Sequence, residues 1–98
     1  MLSLNKSFII GNGYTTNRYE NDLILNYRGI TKIESNAFED LSLNSLYLKS
    51  LHLHQNEICE IEANAFKGLE ILEILNMSYN RLMRIDSNLL KSMSMLWP

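Results

Sequence analysis

Residues 48–71, LKSLHLHQNEICEIEANAFKGLEI, decide how the chain folds, because the residues from Leu72 onward replay their spacing. Laid over one another, the two blocks give LxxLxLxxNxLxxIxxxxFxxLxx. Leu48, Leu51, Leu53, Asn56, Ile58, Ile61, Phe66 and Leu69 fill this framework first; Leu72, Leu75, Met77, Asn80, Leu82, Ile85, Leu90 and Met93 fill it again. Upstream, Leu23, Leu25, Ile30, Ile33, Phe38 and Leu41 occupy the same positions, with Glu20 and Arg28 departing from it. The segment ITKIESNAFEDL shares seven of twelve residues with ICEIEANAFKGL, far more than composition alone would give, so the duplication is internal to this chain.

Alternation through Leu51, His52 and Leu53 sends the leucines to one side and His52 to the other, the period-two pattern of a half-buried strand. Ile58, Ile61, Phe66 and Leu69 then carry the chain back, and Asn64 before Ala65 and Phe66 suits the N-cap of a short helical or 3₁₀ turn. One such coil has a single ring of apolar residues, so it folds only by stacking on neighbours. These residues resemble the leucine-rich repeat family, in its 24-residue extracellular type. The resemblance implies an α/β solenoid with a short parallel sheet on the concave face and irregular or short helical convex returns. It implies repeats at 20–47, 48–71 and 72–95, a further one starting at 96, and a non-enzymatic module that binds a protein on its concave face. The alternative is a structural or self-associating fragment of a longer receptor or matrix protein. The setting is extracellular or cell-surface, with a cytoplasmic one left open. The cysteine cluster that often closes the N-terminal end in related families is absent.

Between Leu41 and Leu48 the spacing is four residues longer than in the later repeats, which leaves two registers. Leu46 and Leu48 could form the second strand, but Leu51 would then stand at the asparagine position. Choosing Leu51 and Leu53 puts Asn56 there, and the extra residues bulge at the return. Residues 1–19 carry no repeat pattern; Phe8, Ile9 and Ile10, then Gly11-Asn12-Gly13 and Tyr14 to Thr16, read as a β-hairpin cap over the first coil. At the other end Met93, Met95, Leu96 and Trp97 place an apolar edge where self-association is expected.

A chain of 98 residues supports one small domain, and no run approaches the roughly 18 apolar residues of a membrane span. The N-terminus MLSLNKSFIIGNG is not built like a signal peptide, so export would need a signal outside this chain. Nine basic and eleven acidic residues, with no basic stripe, lack the electrostatic footprint of a nucleic-acid binder. The single cysteine, Cys59, has no internal partner and reads as a partly buried, inert thiol.

Strand alternation exposes Ile24, Asn26 and Tyr27, then His52, His54 and Gln55, then Asn76, Ser78 and Tyr79, and these nine residues are the expected partner-binding face. Tyr27 and Tyr79 are amphipathic anchors of the kind enriched in binding hot spots. Asn56 and Asn80 are expected to satisfy backbone groups where the chain leaves each strand. His52 and His54 could grip a metal, but a third ligand is missing, so neither metal nor cofactor is expected. Glu34, Glu60 and Glu62 scatter over convex positions as solvated charge rather than as an acid and base. Asn5-Lys6-Ser7 and Asn76-Met77-Ser78 match the N-glycosylation pattern, and a glycan on Asn76 would compete with a partner for the concave face.

Overall fold

The computed structural model describes residues 2–13, 21–39, 48–69, 71–82 and 84–85. Its frame is two small parallel sheets. One holds β2 (Asp22–Ile24), β4 (Ser50–His52) and β6 (Ile74–Asn76); the other holds β1 (Leu2–Leu4), β3 (Ile30–Ile33), β5 (Glu60–Ile61) and β7 (Arg84–Ile85). Leu51 pairs with Leu23 on one side and Leu75 on the other, so like framework residues stack layer upon layer. Leu23, Leu25, Ile30, Ile33, Phe38, Leu51, Leu53, Ile58, Ile61, Leu75 and Met77 are buried between the sheets. Each such side chain contributes roughly 1.5–3 kcal/mol of transfer free energy, which no single layer could collect alone.

The pairing fixes the register. Ser50 is partnered by Asp22, 28 residues earlier, and by Ile74, 24 residues later. On the second sheet Glu60 lies opposite Lys32 and Arg84 with the same two offsets. Both sheets therefore carry the four additional residues between β3 and β4, and the strand built on Leu51 and Leu53 is the one formed. The inserted residues themselves, 40–47, lie outside the described residues.

Of the irregular or short helical convex returns expected, those among the described residues, at 35–39 and 63–68, are turns that follow the short strands β3 and β5. Two expectations need correcting. Asn64 is not an N-cap, since its φ of 63° and the φ of 60° at the equivalent Asn36 are left-handed, a conformation asparagine tolerates well and an N-cap does not use. Phe8, Ile9 and Ile10 do not form the first arm of a hairpin but lie in α1 (Lys6–Gly11). Asn5 caps that helix by accepting from the Phe8 N–H at 2.9 Å, and the Asn12 N–H and Gly13, at φ 72°, close its other end. End chemistry outweighs the β-propensity of Phe-Ile-Ile here. The hairpin's second arm, Tyr14 to Thr16, lies outside the described residues.

The N-terminal segment nevertheless belongs to the stack. Leu4 pairs with Ile33, and Ile9, five residues on, is buried just as Phe38 is five residues after Ile33. Residues 2–13 thus supply a convex strand and return to the first layer, a divergent copy of the pattern in 30–39.

Candidate partner-binding face

The side of the β2–β4–β6 sheet turned away from the core is set by alternation. Leu23, Leu51 and Leu75 point inward, while Asp22, Ser50 and Ile74 form one cross-strand row and Ile24, His52 and Asn76 the next. Beyond the strands, the His54 backbone N–H donates to Asn26 Oδ1 at 2.9 Å, the Tyr27 N–H donates to the His54 carbonyl, and the Gln55 N–H donates to the Ser78 carbonyl. The nine residues expected on this face are brought to one surface. Tyr27 and Tyr79 are 71% and 78% exposed, and Ile24 is 57% exposed. Gln55 and Ser78 are exposed too, whereas Asn26, His52, His54 and Asn76 are half-buried.

Tyr27, Gln55 and Tyr79 stand at equivalent positions with φ of 57°, 55° and 57°. Each residue carries the chain out of its strand in the left-handed region, which costs a bulky L-residue about 1–2 kcal/mol. The Tyr27 ring meets the His54 ring edge-on at 5.6 Å, and His54 Nδ1 is enclosed without a hydrogen-bond partner.

Sequence reasoning missed two members of the first cross-strand row, Ile74 and Ser50. Ile74 is 53% exposed and level with Asp22 and Ser50; alternation back from Asn76 would have found it. Ser50 is buried and donates its hydroxyl to the Asp22 carboxylate, a contact no spacing rule announces.

Asn56 and Asn80 lie just behind the face. Asn56, 6% exposed, accepts from the Arg28 and Ile30 N–H groups at 2.8 and 3.1 Å and donates to the Leu25 and Leu53 carbonyls at 2.8 and 2.9 Å. Asn80 accepts from the Ile58 N–H and donates to the Leu53 and Met77 carbonyls. Each amide therefore ties its own layer to the preceding one. Arg28, which replaces asparagine in the first layer, is exposed.

On the opposite side, Glu34 and Glu62 recur for a structural reason. Glu34 Oε2 accepts from Asn5 Nδ2 at 2.8 Å, and Glu62 Oε1 accepts from the Ser35 N–H at 2.9 Å, so each carboxylate bonds to the layer before its own. Lys32 lies 3.3 Å from Glu62 and 4.0 Å from Glu60. The Ser35 N–H, with Lys32 beside it, holds the Glu62 carboxyl below the usual range, and the hydrogen bond and charge of Glu62 raise Lys32. Cys59 is half-buried, its thiol 3.5 Å from the Thr31 carbonyl. Among the described residues no three His, Cys, Asp or Glu side chains converge as metal ligands, and no helix is long and apolar enough to cross a membrane.

Stacked parallel strands, recurring asparagines that tie one layer to the preceding one, and one open sheet face define the chain's class: it belongs to the leucine-rich repeat family, whose pattern, described as leucine rich repeat, matches residues 47–98. Among curated proteins it is similar to lumican of Coturnix japonica, 35% identical over 77 residues that cover 78% of this chain and 21% of that protein. Fibromodulin of Oryctolagus cuniculus is 33% identical over 76 residues, covering 78% of this chain and 48% of that protein. The chain thus spans less than half the length of these relatives. Both relatives are themselves leucine-rich repeat proteins. Proteins of this family generally act through protein–protein contacts.

Proposed function

We propose that this chain is a short leucine-rich repeat solenoid that binds a protein partner on its concave face, through Ile24, Asn26, Tyr27, His52, His54, Gln55, Asn76, Ser78 and Tyr79. The observation that carries this reading is the placing of Tyr27 and Tyr79. Each is a large aromatic residue on a left-handed backbone where glycine or asparagine would fold more easily, and each leaves most of its ring in water. Folding gains little from a tyrosine there, whereas a partner gains a rigid amphipathic anchor. Ile24 and Ile74 add exposed aliphatic surface beside them.

The test is substitution on both sides of the molecule, using chain produced in bacteria and a ligand captured from extracellular matrix extract. Tyr79→Ala and His52→Ala should each weaken binding by at least about 1 kcal/mol, a factor of about five. Glu60→Ala and Lys67→Ala, on the other side, should leave it unchanged. Glu34 and Glu62 would be poor controls because they bond adjacent layers. Loss of binding through Glu60 or Lys67 alone would move the site to the convex side.

A second reading is favoured by the share of the relatives covered: the chain acts as a structural part of a longer array and recognition lies in other repeats. Self-association through Met93, Met95, Leu96 and Trp97 would belong to it, and those residues lie outside the described ones. An extended array that binds a ligand with affinity indifferent to Tyr27 and Tyr79 would select this reading.

A further inference from the structure

The chain has two N-glycosylation sequons, and the fold treats them differently. Asn5 is fully engaged: its Oδ1 accepts from the Phe8 N–H to cap α1, and its Nδ2 donates to Glu34 Oε2 at 2.8 Å across the layers. Asn76 lies at the end of β6 on the open side of the sheet. Its Oδ1 accepts from both the Ser78 N–H at 3.1 Å and the Ser78 hydroxyl at 2.7 Å, and its Nδ2 has no partner among the described residues. Asparagine oxygen and serine hydroxyl are thus already closed into one ring, with the amide nitrogen left over.

We propose that Asn76 carries an N-linked glycan standing on the partner-binding face, and that Asn5 stays bare. In the transfer, Nδ2 forms a C–N bond to the anomeric carbon of a lipid-pyrophosphate-linked oligosaccharide. That carbon's bond to the pyrophosphate oxygen breaks, the lipid pyrophosphate leaves with the electron pair, and one amide proton passes to solvent. Among the described residues no hydrogen bond uses the nitrogen consumed, so the sugar is added there without breaking one. At Asn5 a glycan would crowd the contact with Glu34 and the cap of α1.

The placing gives the modification a consequence. Asn76 is level with His52 and Ile24 in the sheet, so a glycan there covers the β6 side and leaves Ile24, Tyr27 and His54 as the open half. This regulation of the face rests on the binding reading above. The glycan itself does not, and its tests use no partner.

The chain is expressed through the secretory pathway of eukaryotic cells and digested with an N-glycosidase. One glycan is expected, lost in Asn76→Gln and in Ser78→Ala, and kept in Ser78→Thr and in Asn5→Gln. A cooperative thermal melt of Asn76→Gln excludes misfolding as the cause of loss. No glycan on the wild-type chain, two glycans, or one that disappears in Asn5→Gln overturns the proposal. Its position is read by diethyl pyrocarbonate modification of His52, followed by peptide mass spectrometry. Modification should be slower in the glycosylated chain than in Asn76→Gln, while alkylation of Cys59 is unchanged. Equal rates at His52 overturn the placing over the face.

Discussion

Replacing Asn56 with alanine removes an amide that makes four hydrogen bonds at a site only 6% exposed. Not all four losses weigh equally. The Leu53 carbonyl also accepts from Asn80 Nδ2, so it keeps a partner, and the Arg28 N–H lies where water can replace the lost oxygen. The Ile30 N–H and the Leu25 carbonyl lose their side-chain partner in a buried site, and each such loss costs about 1–3 kcal/mol. Asn56→Ala should therefore destabilise the chain by about 3 kcal/mol, a large share of the roughly 5–15 kcal/mol of a typical domain. Asn80 is more exposed and shares one acceptor with Asn56, so Asn80→Ala should cost about 1 kcal/mol. Urea unfolding followed by circular dichroism would measure both. The midpoints should move in that order with unchanged slope, and Lys49→Ala, whose side chain is exposed, serves as control. An Asn56→Ala loss below about 1 kcal/mol, or a larger loss for Asn80→Ala, would refute the accounting of orphaned groups.

Three further outcomes are expected. Because the folded Glu62 carboxyl is held below its ordinary value, its contribution is present above the unfolded value of about 4.3 and is lost as pH falls through the folded one. Lys32 is raised, so its contribution is lost only as pH climbs above the ordinary lysine range; Glu62→Gln should flatten both limbs of a plot of melting temperature against pH. Tyr79→Asn should leave stability unchanged or raise it by about 0.5–1 kcal/mol, since asparagine accepts a φ of 57° more readily, and a loss above that size by urea titration would show that the ring is structural. Asn5→Ala should cost about 1 kcal/mol through the lost cap of α1, seen as a lower urea midpoint, while Asn12→Ala at the exposed end should cost less.

The inward-facing layer was legible because leucine at period two and asparagine at a fixed distance are physical requirements of a stacked strand. Leu23, Leu51 and Leu75 occupy the positions that spacing assigns, and the longer first repeat resolved once Asn56 was required to stand beside Asn80. The second sheet was not legible. A strand as short as Glu60–Ile61 has no periodicity of its own and exists because Lys32 and Arg84 lie opposite it in neighbouring layers. The start of the chain misled for a related reason: Phe8-Ile9-Ile10 followed by Gly-Asn-Gly reads locally as strand and turn. The five-residue step from Leu4 to Ile9, the same as from Ile33 to Phe38, was the signal that would have placed it. On the candidate face, exposure followed from alternation, but the left-handed backbone beneath Tyr27 and Tyr79 has no signature in residue types that ordinarily avoid it.

The Leu53 carbonyl has two side-chain donors, Asn56 from its own layer and Asn80 from the following one. Together with the Leu25 and Met77 carbonyls, it makes an unbroken file of polar links across three layers. Such a file sets how the molecule opens. If the layer carrying Asn80 detaches, the Leu53 oxygen is still held by Asn56, and Asn80 leaves only the Ile58 N–H without its side-chain partner, so the stack can fray one layer at a time. Opening between the layers of Leu25 and Leu53 separates Asn56 from three backbone partners at once. Amide hydrogen exchange should then be graded along the stack, with Ile58, whose N–H is held by Asn80, exchanging through a cheaper local opening than Ile30, whose N–H is held by Asn56.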